Sequence, residues 1–126
     1  MTKTLVTHIA KKKMIQARNG ETALPTIAGI AVGDGAAAED QSLIIPSETD
    51  NQLKNELLRR EYMRCEKVTE TCYRYRMELG EGELAGKTIN EAALYDAEGD
   101  LLAIRVFKGL PKEEAMEMAF EFDDKF

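Results

Sequence analysis

A chain of 126 residues, 44% hydrophobic and 32% charged, has the size of one domain able to bury its own core, and its balance lies outside the disordered range. Its net charge of −6 repels a phosphate backbone, and the short basic clusters Lys11-Lys12-Lys13 and Arg59-Arg60 with Arg64 are too small to offset that, so no nucleic acid is expected as a partner. The apolar stretches fall well short of the roughly 20 residues a membrane span needs, and the start of the chain lacks a signal-peptide pattern, so no membrane is expected and the chain is read as cytoplasmic when made.

Residues 7–19 place Ile9, Ala10, Met14, Ile15 and Ala17 at helical spacing, which predicts an amphipathic first helix. Thr4 or Thr7 can cap its start, and Asn19-Gly20 gives a left-handed stop. The lysines at 11–13 read as its solvated face. Residues 25–32 are short, apolar and rich in β-branched side chains, and end at Gly33-Asp34-Gly35, as a strand entering a loop does. The next residues, 36–50, read as a long surface excursion pinned by Leu43, Ile44 and Ile45. Asp50 is placed to cap a short second helix through Gln52, Leu53, Glu56 and Leu57.

Beyond Arg59 the period changes to two. In 72–79, Tyr73, Tyr75, Met77 and Leu79 alternate with Arg74, Arg76 and Glu78, a strand with one wet face, for which 62–67 is the hairpin partner. Residues 88–95 and 101–107 form a second hairpin around Asp96-Ala97-Glu98-Gly99-Asp100, where the glycine suits a left-handed turn position. After Pro111, Met116, Met118, Phe120 and Phe122 alternate with polar or small residues as a last strand. The order predicts a single α+β domain over 1–126: an antiparallel sheet of about five to six strands with an N-terminal helix and a short second helix packed against it.

No catalytic constellation emerges. His8, the lone histidine, has no nucleophile beside it. Gly33-Asp34-Gly35 lacks the spacing and the lysine of a phosphate loop and reads as a tight turn. Asp96, Glu98 and Asp100 offer oxygen ligands without the twelve-residue pattern of a calcium loop, so a hairpin tip is expected and no metal or cofactor. Within the otherwise apolar 88–95 strand, one of Asn90 and Glu91 is expected to face inwards as a hydrogen-bonded structural partner. Cys65 and Cys72 read as free thiols, able to cross-link only if opposed across a hairpin. Tyr73 and Tyr75 read as core, with a ligand pocket as the alternative.

Several segments together resemble the N-terminal domain of phage tail-collar fibre proteins. They are the opening helix, Ile30-Ala31-Val32-Gly33-Asp34-Gly35, and Leu53-Lys54-Asn55-Glu56-Leu57 followed by Arg59-Arg60. The fullest match is the run from Gly86 to Ala103, which holds Ile89-Asn90-Glu91-Ala92-Ala93-Leu94-Tyr95-Asp96 and the acidic hairpin. The resemblance implies a phage or prophage virion part, made in the bacterial cytoplasm and built into the tail, that attaches a fibre to the tail or baseplate and carries no activity. It also implies other tail or baseplate proteins as partners, and a homo-oligomer, a trimer by family analogy. Gly33, Asp34, Gly35, Arg59, Arg60, Asp96, Glu98 and Asp100 are the candidate contact surface. The alternatives are a free-standing bacterial module for a small ligand or peptide, and a small hydrolase, for which no convergent acids are found.

Overall fold

The computed structural model describes residues 3–126. Along the chain these form β1 (Lys3–Val6), α1 (His8–Arg18), β2 (Ile27–Gly33), β3 (Glu56–Glu61), β4 (Arg64–Thr69), β5 (Cys72–Leu79), β6 (Thr88–Asp96), β7 (Leu101–Pro111) and β8 (Met118–Lys125). Five strands make one antiparallel sheet in the order β1-β7-β6-β2-β3, and three make a second in the order β4-β5-β8.

The α+β class holds, with corrections inside it. Two sheets replace the expected single one, and residues 50–57 form no second helix among the described residues. Leu53 instead turns into the core, the backbone N–H groups of Lys54 and Asn55 donate to the Glu91 carboxylate, and Glu56 opens β3 on the edge of β2. A local i, i+4 leucine pair is outweighed by long-range partners for the same backbone groups. The excursion of 34–55 is held down by Ala36 and Leu53, both buried, while Ile44 and Ile45 are exposed.

The core has two layers, one on each face of the larger sheet. Ile30, Val32, Ala92, Leu94 and Phe107 meet Met77, Leu79, Phe120 and Phe122 of the smaller sheet. Ala31, Ala93, Tyr95, Leu101 and Ile104 pack on the other face under Leu53. The central strand β6 is therefore buried on both sides, which is why 88–95 reads as a continuous apolar run rather than an alternation. Met77, Leu79, Phe120 and Phe122 each contribute about 1.5–3 kcal/mol by burial. On the outside of the small sheet, the cross-strand pairs Arg74–Asp123 and Arg76–Glu121 contribute about 0–1 kcal/mol each. Those pairs join β5 to β8 within the small sheet, whereas the buried apolar layer spans both sheets.

Helix α1 starts and stops where its residues allow. Thr7 is buried; its hydroxyl accepts from the Ala10 N–H at 3.3 Å and donates to the Leu101 carbonyl at 2.7 Å, tying the helix cap to β7. At the other end Gly20 has φ +78°, and the N–H groups of Gly20 and Glu21 reach the carbonyls of Ala17 and Gln16, a Schellman closure. Thr7→Ala should cost about 1–2 kcal/mol, whereas Thr7→Ser, which keeps the hydroxyl, should cost less than half of that; urea unfolding of the two variants checks this.

The hairpin of 62–79 forms as expected, but its register sets Cys65 opposite Tyr75 and Cys72 opposite Thr69. The two thiols are free, Cys65 exposed and Cys72 buried.

Candidate functional site

The tip joining β6 to β7 is held from inside. The Asp96 side chain is buried, and its Oδ1 accepts the N–H groups of Glu98 at 3.0 Å and Asp100 at 3.1 Å. Its Oδ2 meets the Lys13 ammonium at 2.6 Å, and Glu98 and Asp100 meet the same ammonium at 2.7 and 2.6 Å. The acidic trio has the compactness of a metal site, its oxygens lying within 4.8 Å of one another. The cation at its centre is Lys13.

Burial alone would pull the Lys13 pKa down, yet hydrogen bonds to Asp100, Asp96 and Glu98 outweigh it and hold the ammonium above the ordinary lysine value. This corrects the reading of 11–13 as one solvated face: Lys11 and Lys12 are exposed, Lys13 is buried. Arg59 joins the same tip from β3. Its guanidinium lies 4.6 Å over the Tyr95 ring, donates to the Gly99 carbonyl at 2.9 Å, and pairs with Glu56.

A second lock sits at the other end of β2 and β6. Glu91, buried within β6, accepts three backbone N–H groups: Gly35 at 2.9 Å, Lys54 at 2.9 Å and Asn55 at 2.8 Å. Asn90 takes the Ala36 N–H at 2.9 Å and donates to the Asp34 carbonyl at 3.2 Å. One carboxylate and one amide thereby clip both ends of the 34–55 excursion to the central strand. Both Asn90 and Glu91 face inwards, where one was expected, and Glu91 has the structural role anticipated for it.

Gly33-Asp34-Gly35 is glycine-rich because this clip leaves no room for side chains. A Cβ at Gly33 would fall 2.3 Å from the Asn55 carbonyl oxygen, and one at Gly35 would fall 2.6 Å from the Asn55 nitrogen. The Gly35 N–H is already bonded to Glu91, so the turn has a structural cause.

Arg60, on the opposite face of β3 from Arg59, serves a third connection. It pairs with Glu83 through both guanidinium nitrogens and donates to the Glu78 carbonyl at 2.9 Å. Hydrogen bonding to Arg60, and then to the Gly80 N–H, pulls the Glu83 carboxyl down to about 2. A depressed carboxyl stabilises above its unfolded value and loses that contribution as pH falls, here between about 4.5 and 2. The Glu83 side-chain resonance should therefore titrate near 2 in the intact chain and return towards 4.5 in Arg60→Ala; carbon-detected NMR against pH shows both.

The structure brings Arg59 together with Asp96, Glu98 and Asp100, and separates them from Gly33, Asp34 and Gly35 by the length of a strand, since Ile27 pairs with Asp96 and Gly33 with Glu91. Lys13 was missed as a site residue. Its signal lies in its position three residues after Ala10 and one before Met14, within the apolar stripe of α1. Tyr75 borders an apolar groove of about 560 Å³ and its hydroxyl is pushed up to about 12, first by burial and then by Cys65. Tyr73 lies outside that groove and is exposed.

Residues 86–103 thus include β6, its acidic tip and the start of β7, and they contribute the acids and the amide of both locks. No helix of the described residues is long and apolar enough to cross a membrane. No curated protein and no solved structure matches the chain. A family model described as phage tail-collar fibre protein, N-terminal, matches residues 1–121. On that match, over nearly the whole sequence, the chain belongs to the phage tail-collar fibre protein family and carries its N-terminal domain, a structural part of a phage tail.

Proposed function

We propose that this chain is a non-catalytic attachment domain, which joins a fibre to the tail or baseplate of a phage or prophage virion by presenting preset turns to neighbouring tail proteins. The observation that supports this reading is where the buried polar groups are placed. Lys13 and Glu91 belong to distant elements, and each fixes a turn: the tip held by Lys13 leaves Glu98 and Asp100 open to solvent, and the turn held by Glu91 leaves Asp34 and Gly35 partly exposed. A turn ordered before its partner arrives loses little conformational entropy on docking, so more of the contact energy appears as affinity.

In this reading Glu98 and Asp100, with side chains 62% and 46% exposed, and Asp34 supply the acidic contacts. Gly33 and Gly35 let residues 54–55 pack close against this turn and so set its shape. Arg59 and Arg60 shape the surface from intramolecular pairs instead of offering free charge. A trimer is the assembly expected from the family, and the site of action is the virion tail after synthesis in the bacterial cytoplasm.

The test is competition during assembly. Purified chain added to tails assembled without fibres should lower the number of fibres subsequently incorporated, and a Glu98→Lys, Asp100→Lys double variant that retains the wild-type circular dichroism spectrum should compete less well. Full fibre incorporation in the presence of excess wild-type chain would contradict the reading.

A further inference from the structure

The smaller sheet ends in a strand that stands clear of the body. All 6 residues of β4 are exposed, whereas β5 beside it buries Cys72, Met77 and Leu79. An open strand edge is a template for another strand, and the other edges of this fold are blunted. β8 carries Glu121, Asp123 and Asp124 and repels a copy of itself, β1 has only 4 residues, and the arginines of β3 are paired within the chain. On β4, Arg64 lies directly opposite Arg76, and Glu66 opposite Arg74, which already holds Asp123. Like charges facing each other across two strands destabilise the pair, so Arg64 is placed for a carboxylate that arrives from outside the sheet.

The hydrogen bonds around β5 fix which way β4 turns its backbone. The Arg76 carbonyl accepts from the Met63 N–H at 2.8 Å on the β4 side, and the Thr71 carbonyl accepts from the Phe126 N–H at 3.0 Å on the β8 side. Successive residues of a strand alternate between their two neighbours, so Arg64 and Glu66 bond towards β5, and Cys65 and Lys67 turn N–H and C=O outwards. In a two-fold antiparallel pair of copies the outward residues must face one another, which leaves Lys67 on Lys67, Cys65 on Lys67, or Cys65 on Cys65. The first sets two lysines together, and the second sets Glu66 on Glu66. The third sets Arg64 against Glu66 of the second copy, twice by symmetry, at positions outside the hydrogen-bonded pairs, where side chains come closest. It also brings exposed Tyr62 level with exposed Val68 of the second copy.

We propose that β4 is a self-association edge: two copies of the chain pair antiparallel through it, Cys65 on Cys65, with reciprocal Arg64–Glu66 ion pairs. The contact has two-fold symmetry, so it is distinct from a trimer interface, and it does not rest on the attachment reading. One short strand from each copy makes a small interface, and the pair therefore forms at about 0.1–1 mM chain.

Sedimentation equilibrium of the full chain across that concentration range, with the thiols kept reduced, reads the pairing. The mass of the wild type should rise with concentration. Arg64→Glu and Glu66→Arg each set like charge on like charge and should associate at least about tenfold more weakly. An equimolar mixture of the two variants should recover the wild-type mass, because each supplies the charge that the other lacks. Arg64→Glu also removes the opposition to Arg76, so its melting temperature should not fall, which separates a lost contact from a lost fold. The register is read with oxidised glutathione as the oxidant. One Cys65 thiolate displaces a glutathione thiolate to form a mixed disulfide, the Cys65 thiolate of the second copy displaces the other, and both thiol protons pass to solvent. The Cα separation of about 5.5 Å at a hydrogen-bonded pair fits a disulfide, so peptide mapping should find Cys65 joined to Cys65 and leave the buried Cys72 reduced. Equal masses for wild type and Arg64→Glu, no recovery in the mixture, or a cross-link through Cys72 would each overturn the proposal.

Discussion

Lys13→Ala is expected to destabilise the domain by about 3 kcal/mol, because it leaves the buried Asp96 carboxylate without its cation and three acids facing one another. The figure sits at the low end for a broken buried pair, since Glu98 and Asp100 remain open to water. For a chain of this size such a loss lowers the melting temperature by about 10 °C. The raised Lys13 pKa fixes the sign of its pH dependence. A group raised on folding contributes fully below its unfolded value, near 10.5 for lysine, and loses that contribution only as pH rises through the folded value. The gap between wild type and variant should therefore be constant across neutral and mildly alkaline pH.

The same variant carries a second expected result. With the ammonium gone, the oxygens that lie within 4.8 Å of one another are free to take a hard cation. Calcium at about 10 mM should recover about 1–1.5 kcal/mol in Lys13→Ala if it binds there with millimolar affinity, and should leave the wild type unmoved. Differential scanning calorimetry of both proteins, with and without calcium, reads the two effects together. Stabilisation of the wild type by calcium would mean that the trio is not filled by Lys13.

Glu91→Ala is expected to be still more damaging, at about 4 kcal/mol or above. Its carboxylate accepts three backbone N–H groups, and each buried donor left without an acceptor costs about 1–3 kcal/mol. That approaches the whole stability of a typical domain, about 5–15 kcal/mol. Glu91→Gln is the informative partner: it preserves shape but turns one acceptor oxygen into a donor, so about 2–3 kcal/mol should be lost. Hydrogen exchange on Glu91→Gln should speed up first at Gly35, Lys54 and Asn55. Exchange that rose uniformly across the chain would place the defect in global stability instead of in the clip.

The parts of this fold that can be read from residues alone are those whose cause is local. The β6–β7 hairpin has its turn glycine between two apolar runs, β5 and β8 alternate strictly, and α1 carries its cap and its stop within its own sequence. What escapes is set by distant partners. β1 is four residues long with no period of its own, and exists because β7 offers an edge to it. β3 resembles a helix start over Leu53 and Leu57, yet the N–H groups that a helix would need go to Glu91. The split into two sheets follows from β3 handing the chain to β4 through Tyr62 and Met63, and nothing in the alternation of 62–79 distinguishes a hairpin in the same sheet from one facing it.

The candidate contact residues show the same division. Gly33, Gly35 and the acids of 96–100 stand out by type and spacing, and their roles as tight turns follow from that. The partners that fix them, Lys13 and Glu91, lie 83 and 56 residues away from Asp96 and Gly35. A lysine among three lysines and a glutamate in an apolar strand become legible only when the helix stripe or the strand face is followed to its far side.

Hydrogen exchange of the chain bound to fibreless tails, compared with the free chain, tests the attachment account most directly. The account requires slowed exchange concentrated at residues 33–36 and 97–100, with the amides of β5 and the core of β6 unchanged. Binding that protected neither turn, or a chain that failed to bind the tails at all, would contradict it.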